Sequence, residues 1–122
     1  MKVSELFATY EAFKNLSDKE LPFAEALTVA ENMDILKTAY DVADKKRKSI
    51  MNDSLEKDEN GNPISVGENQ YKLRVGNTLE KDMGSLLEEE VALKELTKIA
   101  REKLADISIK PDVLLAIKKY II

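Results

Sequence analysis

Three features of the sequence predict a mainly α-helical fold. Apolar residues recur at steps of three and four from Pro22 to about Leu55: Phe23, Ala26, Leu27, Ala30, Met33, Leu36, Tyr40, Ala43, Ile50 and Met51. That is the stripe of an amphipathic helix. A second stripe runs through Leu79, Met83, Leu86, Leu87, Leu93, Leu96, Ala100, Leu104 and Ile107. Between them, Lys57 to Gly76 breaks the helical period with turn formers and alternating residues. The expected architecture is a long antiparallel helical hairpin with an N-terminal helix, a small β-hairpin at the connection and a short C-terminal helix. A chain of 122 residues makes this one domain.

The first element, 3–16, carries Val3, Leu6, Phe7, Tyr10, Phe13 and Leu16 at helical period, with Ser4 as its N-cap. Most of the aromatic residues lie here and at the start of the next helix, and they are expected to knot the core together. Ser17-Asp18-Lys19-Glu20 has capping-box spacing, but Pro22 follows too soon for a helix, so a turn is expected. Pro22 then opens the long helix, 22–56, where its missing N–H is harmless. At about 1.5 Å per residue this helix is on the order of 50 Å long. Every other segment must find its place along it.

Asp58-Glu59-Asn60-Gly61-Asn62-Pro63 is dense in turn formers. Ile64 and Val66, then Tyr71, Leu73 and Val75, alternate with polar residues, and Gly67-Glu68-Asn69-Gln70 can close a hairpin between them. Two short strands are marginal alone, so one face is expected to pack on a helix. Asp58, Asn60 and Asn62 are spaced like early calcium ligands. Proline stands where that loop needs glycine, however, and Asn69 where it needs a bidentate glutamate.

Asn77 and Glu80 have capping-box spacing ahead of the second long helix, 78–106. Gly84 weakens that helix by up to about 1 kcal/mol relative to alanine, and Val91 falls off its stripe. A local break near Glu88 to Glu90 is the alternative, leaving 89–99 open between helix and strand. Pro111 and Asp112 suit the start of the C-terminal helix, 111–121, with Lys118 and Lys119 near its negative end. Tyr40 and Ile50 are both expected to be buried against the helix that follows the hairpin.

Composition narrows the chemistry. Cysteine, histidine and tryptophan are all missing, which excludes disulfides, thiolate or imidazole zinc sites and Cys–His or Ser–His catalytic pairs. Lys2, Glu5, Glu11 and Lys14 make the first 16 residues unlike a signal peptide. No apolar run reaches the ~18 residues of a membrane span. Glu88-Glu89-Glu90 is the densest carboxylate cluster, but neighbouring helical residues diverge and do not form a catalytic pair. Gly84-Ser85 has no nucleophile-elbow context, and no phosphate-cradling glycine loop occurs. No enzyme activity, cofactor or metal site is expected. Asp44-Lys45-Lys46-Arg47-Lys48 is the one basic run, and Lys45, Lys46 and Lys48 are the candidates for tracking phosphates. Nearby Asp41, Asp44 and Asp53, with a net charge of −4, favour a solvated face instead.

Taken in order, the Val3-Ser4-Glu5-Leu6 helix, Glu20-Leu21-Pro22, Lys57 to Pro63, Leu86 to Val91 and Ile107 to Ile117 resemble a group of small uncharacterised helical proteins from phages and prophages of Gram-positive bacteria. The likeness covers nearly the whole chain. It implies a phage setting, in the cytoplasm of the host bacterium, and carries no catalytic residues. In that group the segment after the acidic cluster is strand-like and often holds a proline, whereas here Glu90 to Ile99 has none.

The expected function is therefore a non-enzymatic protein-binding module, an adaptor or inhibitor of a host or phage protein. The alternatives are a structural or assembly component of the virion and a nucleic-acid-binding accessory protein. A homo-oligomer is compatible with a long apolar stripe on a small chain. Leu114, Ile117, Tyr120 and Ile121 are the candidate partner-binding residues; the apolar residues of the long helix left uncovered compete with them as a docking surface, as does packing of the C-terminal helix on the protein's own body.

Overall fold

The computed structural model describes residues 1–122. Its elements are α1 (Val3–Ser17), α2 (Phe23–Ser54), β1 (Ser65–Gly67), β2 (Gln70–Tyr71), α3 (Leu79–Glu88) and α4 (Pro111–Ile117). Single 3₁₀ turns occupy Arg101–Leu104 and Lys118–Tyr120. The mainly helical fold, the hairpin between helices and the short C-terminal helix are those the sequence predicts.

α1 buries Val3, Leu6, Thr9, Ala12, Phe13 and Leu16, the three-and-four stripe of an amphipathic helix. It starts two residues earlier than a Ser4 cap would allow, with extended Lys2 at its N-cap. The cause is tertiary: Lys2 pairs antiparallel with Glu90, and the Val3 amide donates to Glu89 O at 2.9 Å. Ser17, Asp18 and Lys19 then bond back to the last turn and close the helix.

α2 begins after Pro22, whose carbonyl accepts from Ala26 at 2.9 Å. Its buried face is Val29, Asn32, Leu36, Ala43 and Ser54. Phe23 and Leu27, expected on that face, are 84% and 47% exposed. At ~100° per residue, Phe23, Leu27 and Ala30 form a ridge roughly opposite the line of Val29, Leu36 and Ala43. The knot of aromatic residues therefore consists of α1 and Tyr40, without Phe23. Tyr40 also faces a different neighbour from the one expected. It stacks on Tyr10 with centroids 4.1 Å apart, meets Phe7 edge-on, and donates a 2.7 Å hydrogen bond to Glu11. α1 therefore covers it rather than α3. Ile50 is half-buried against the edge of the core.

Beyond α2 the chain folds into a small closed ribbon. Glu56 N–H donates to Lys72 O, Lys72 N–H to Ile64 O, and Ile64 N–H to Glu56 O. The three segments thus satisfy one another in a ring, and the β1–β2 turn closes at Gly67 and Gln70 with Asn69 at φ 56°. Every residue of β1 and β2 is exposed. The expected docking of one strand face on a helix does not occur, because the backbone ring and the Glu56–Lys72 ion pair at 3.0 Å supply the anchorage.

α3 has its own start signal, although not the expected Asn77–Glu80 box. The Asn77 side chain accepts from Leu79 N–H, and Thr78 donates to Asp82 at 2.6 Å. The helix ends at Glu88, so the long helix expected over 78–106 is corrected to a return limb that is helical for its first half only. It still runs antiparallel to α2, from the ribbon past Lys46–Glu89 to Asn32–Thr97. Three consecutive glutamates at a helix C-terminus oppose the dipole. With the helix ended at the first of them, each gains a cationic partner: Lys2 at 2.8 Å for Glu88, Lys46 at 3.2 Å for Glu89 and the Met1 amino group at 3.2 Å for Glu90. The extended backbone is also used twice more. The fully buried Asn32 amide donates to Thr97 O and accepts from Thr97 N–H, both at 2.9 Å. Ile99 then pairs parallel with Ile121.

Fourteen buried apolar residues form one core, drawn mainly from α1, the first two-thirds of α2, and residues 96–117.

Candidate functional site

The C-terminal quarter builds an open, mainly apolar concavity. Arg101–Leu104 turns the chain, Ile107 and Ile109 follow in an open stretch, and Pro111 starts α4. α4 has to lie on its side, because Val113 and Ile117 are drawn into the core at 8% and 0% exposure. That rotation leaves Leu114 facing out. With Leu104, Ala105, Ile107, Ile109 and Ile121 it lines an open groove of about 590 Å³. Arg101 and Lys118 stand at the rim together with Glu102. Neither cation makes an ion pair within the chain, whereas the adjacent Lys119 is held by Glu5 at 3.0 Å. That bond to Glu5, with its charge, raises the Lys119 ammonium above its ordinary range, and the same bond lowers the Glu5 carboxyl.

The four partner-binding candidates are therefore divided. Ile117 is fully buried in the protein's own body and Tyr120 packs against Phe13 at 6.0 Å, so both belong to the core. Leu114 and Ile121 line the groove. Leu104, Ile107 and Ile109 complete it. The sequence offers no site signal for them: Leu104 and Ile107 continue the stripe of a helix that does not form there, and Ile109 falls between the expected elements.

The basic run offers little free charge. Lys46 is tied to Glu89, Lys48 to Asp44 at 3.0 Å, and Arg47 bonds to Asp44 while lying over the Phe7 ring at 4.4 Å. Hydrogen bonds from Lys48 and Arg47 hold the Asp44 carboxyl below its ordinary range. Lys45 alone of the run has no ion pair. The Asp58 carboxylate accepts the amides of Asn60 and Asn62 at 2.9 and 3.0 Å. It caps its own turn.

Charge is unevenly distributed. Residues 1–90 hold 12 Lys and Arg against 19 Asp and Glu, a net of −7, while residues 91–122 hold 7 against 4, a net of +3. The groove sits in the basic part. No group of three or more acidic side chains converges as a metal site would require, and no helix is long and apolar enough to cross a membrane.

Neither a protein-family model, a curated protein nor a solved structure matches this chain.

Proposed function

We propose that this protein is a non-catalytic protein-binding module, an adaptor or inhibitor, whose partner enters the groove between Leu104 and Ile121. A phage setting belongs to this proposal through the resemblance of the sequence motifs alone. The observation that carries it is the groove itself: an apolar floor with two unpaired cations, Arg101 and Lys118, at its edge. Helix-in-groove recognition uses such a floor for anchors spaced i, i+3, i+4 and i+7. Rim cations select an acidic partner and speed its approach.

The test is binding by a variant with a charge on the floor. Leu114→Glu changes a residue 36% exposed, so the melting temperature should stay within a few degrees of the wild type. A partner captured from extracts of cells that carry the protein, then purified, should lose at least tenfold in affinity for this variant. Undiminished binding to Leu114→Glu would place the contact elsewhere and overturn the proposal.

A further inference from the structure

We propose that the groove accepts the exposed ridge at the start of α2 from a second copy of this chain. The inference rests on the groove being a docking site, and it names the occupant. The ridge is the chemical counterpart of the groove. Phe23, Leu27 and Ala30 stand at i, i+4 and i+7 on a face turned away from their own core, and Phe23 is 84% exposed. Between Glu20 and Asp34 the chain has four acidic residues and no Lys or Arg. Glu20, Glu31 and Asp34 are exposed and form no ion pair within the chain. The groove offers an apolar floor and a rim of net charge +1, with the unpaired Arg101 and Lys118 against the single carboxylate of Glu102.

Ridge and groove share no residue. Where two copies join through one ridge-in-groove contact, the pair keeps one free ridge and one free groove, and repetition builds a ring or an open chain; where both contacts form between the same two copies, a closed two-fold dimer results. The charges lie at the surface, so the association weakens as salt screens them over the ~8–10 Å Debye length of physiological solutions.

Sedimentation velocity on the full chain tests this at concentrations from ~5 to ~500 μM in ~50 mM and ~500 mM salt. Wild type should grow in mass with concentration and shrink with salt. A ridge variant, Phe23→Ser with Leu27→Ser, and a groove variant, Arg101→Glu with Lys118→Glu, alter only exposed side chains. Each should be monomeric alone with an unchanged circular dichroism spectrum. Mixed one to one, the intact ridge of one meets the intact groove of the other, and a species of twice the monomer mass should appear and go no further. A monomeric wild type throughout the range would overturn the proposal, as would a mixture that fails to associate. If wild type is monomeric while Leu114→Glu still loses a captured partner, the groove stands as a docking site and self-docking alone falls.

Discussion

The two ends of α2 have opposite surroundings. From Val29 to Ala43 the helix packs against α1 and the extended stretch after α3, and Val29, Asn32 and Leu36 are almost completely buried. From Asp44 to Ser85, Ser54 is the sole buried residue. In that distal arm Val66, Tyr71, Leu73 and Val75 are exposed, Val75 at 99%. The first region is held by burial of apolar area, the second by backbone hydrogen bonds and ion pairs. These mechanisms differ in cooperativity. Removal of one core side chain is felt by all its neighbours, whereas a turn stabilised by its own capping bonds opens locally.

The largest effect should come from Phe13→Ala, which empties a fully buried site and should cost about 3–5 kcal/mol in urea unfolding. Asn32→Ala comes next. It leaves Thr97 N–H and O without their buried partner and should cost about 2 kcal/mol. Amide exchange at Thr97 should accelerate first. Gly61→Ala forces a side chain onto φ +77° with nothing within 4 Å of the new Cβ, so only backbone strain of about 1 kcal/mol enters. Tyr71→Ser on the arm should move stability by less than about 0.5 kcal/mol. A loss at Tyr71 equal to that at Phe13 would break the division between the two regions.

A titration sharpens it. The Tyr40 hydroxyl is raised above its ordinary 10.0, first by its bond to Glu11 and then by burial. A phenol whose folded pKa is raised supplies its stability fully below the unfolded value, and that stability fades as pH climbs through the folded one. Wild type should therefore lose stability from about pH 10 upward relative to Tyr40→Phe, measured as the difference in urea midpoint.

The legible parts of the fold were those in which local pattern and tertiary partner agree. α1 follows from Leu6, Phe13 and Leu16, α2 from Pro22, and the hairpin turn from Gly67 to Gln70. The alternative break near Glu88 to Glu90 is the one realised; the continuous helix through 106 is not, because helical spacing through Leu93, Leu96, Ala100 and Leu104 is overruled by contacts distant in sequence. Met1, Lys2 and Lys46 draw out three glutamates, and Asn32 and Ile121 claim the backbone of Thr97 and Ile99. None of these partners lies within helical reach of the segment, so no local window contains the signal. The same event hid the groove. Leu114 and Ile121 are identifiable as apolar residues on a terminal helix, but Leu104 joins Ile107 and Ile109 in a floor only because the helix ends at Glu88 and the chain turns at Arg101–Leu104. The ridge at Phe23 and Leu27 was assigned to the core because large apolar residues at helical spacing usually point inward, and only the position of α1 fixes which side of α2 is inside.

The makeup of the core has a bearing on biosynthesis. Val3, Leu6, Ala12, Phe13 and Leu16 come from the first 17 residues, and Leu96, Ile99, Leu104, Val113 and Ile117 from the last 27. A ribosome delivers the two groups about 80 residues apart. When the ribosome has made only the first 90 residues, α1 and α2 can meet, but the side of α1 that receives α4 is still bare. At roughly 5–20 residues per second, residues 91–122 take a few seconds to arrive, and Phe13 waits uncovered for that time. The nascent chain is then most open to capture by chaperones, and a stop codon placed just before α4 should yield a product that aggregates rather than a smaller folded protein.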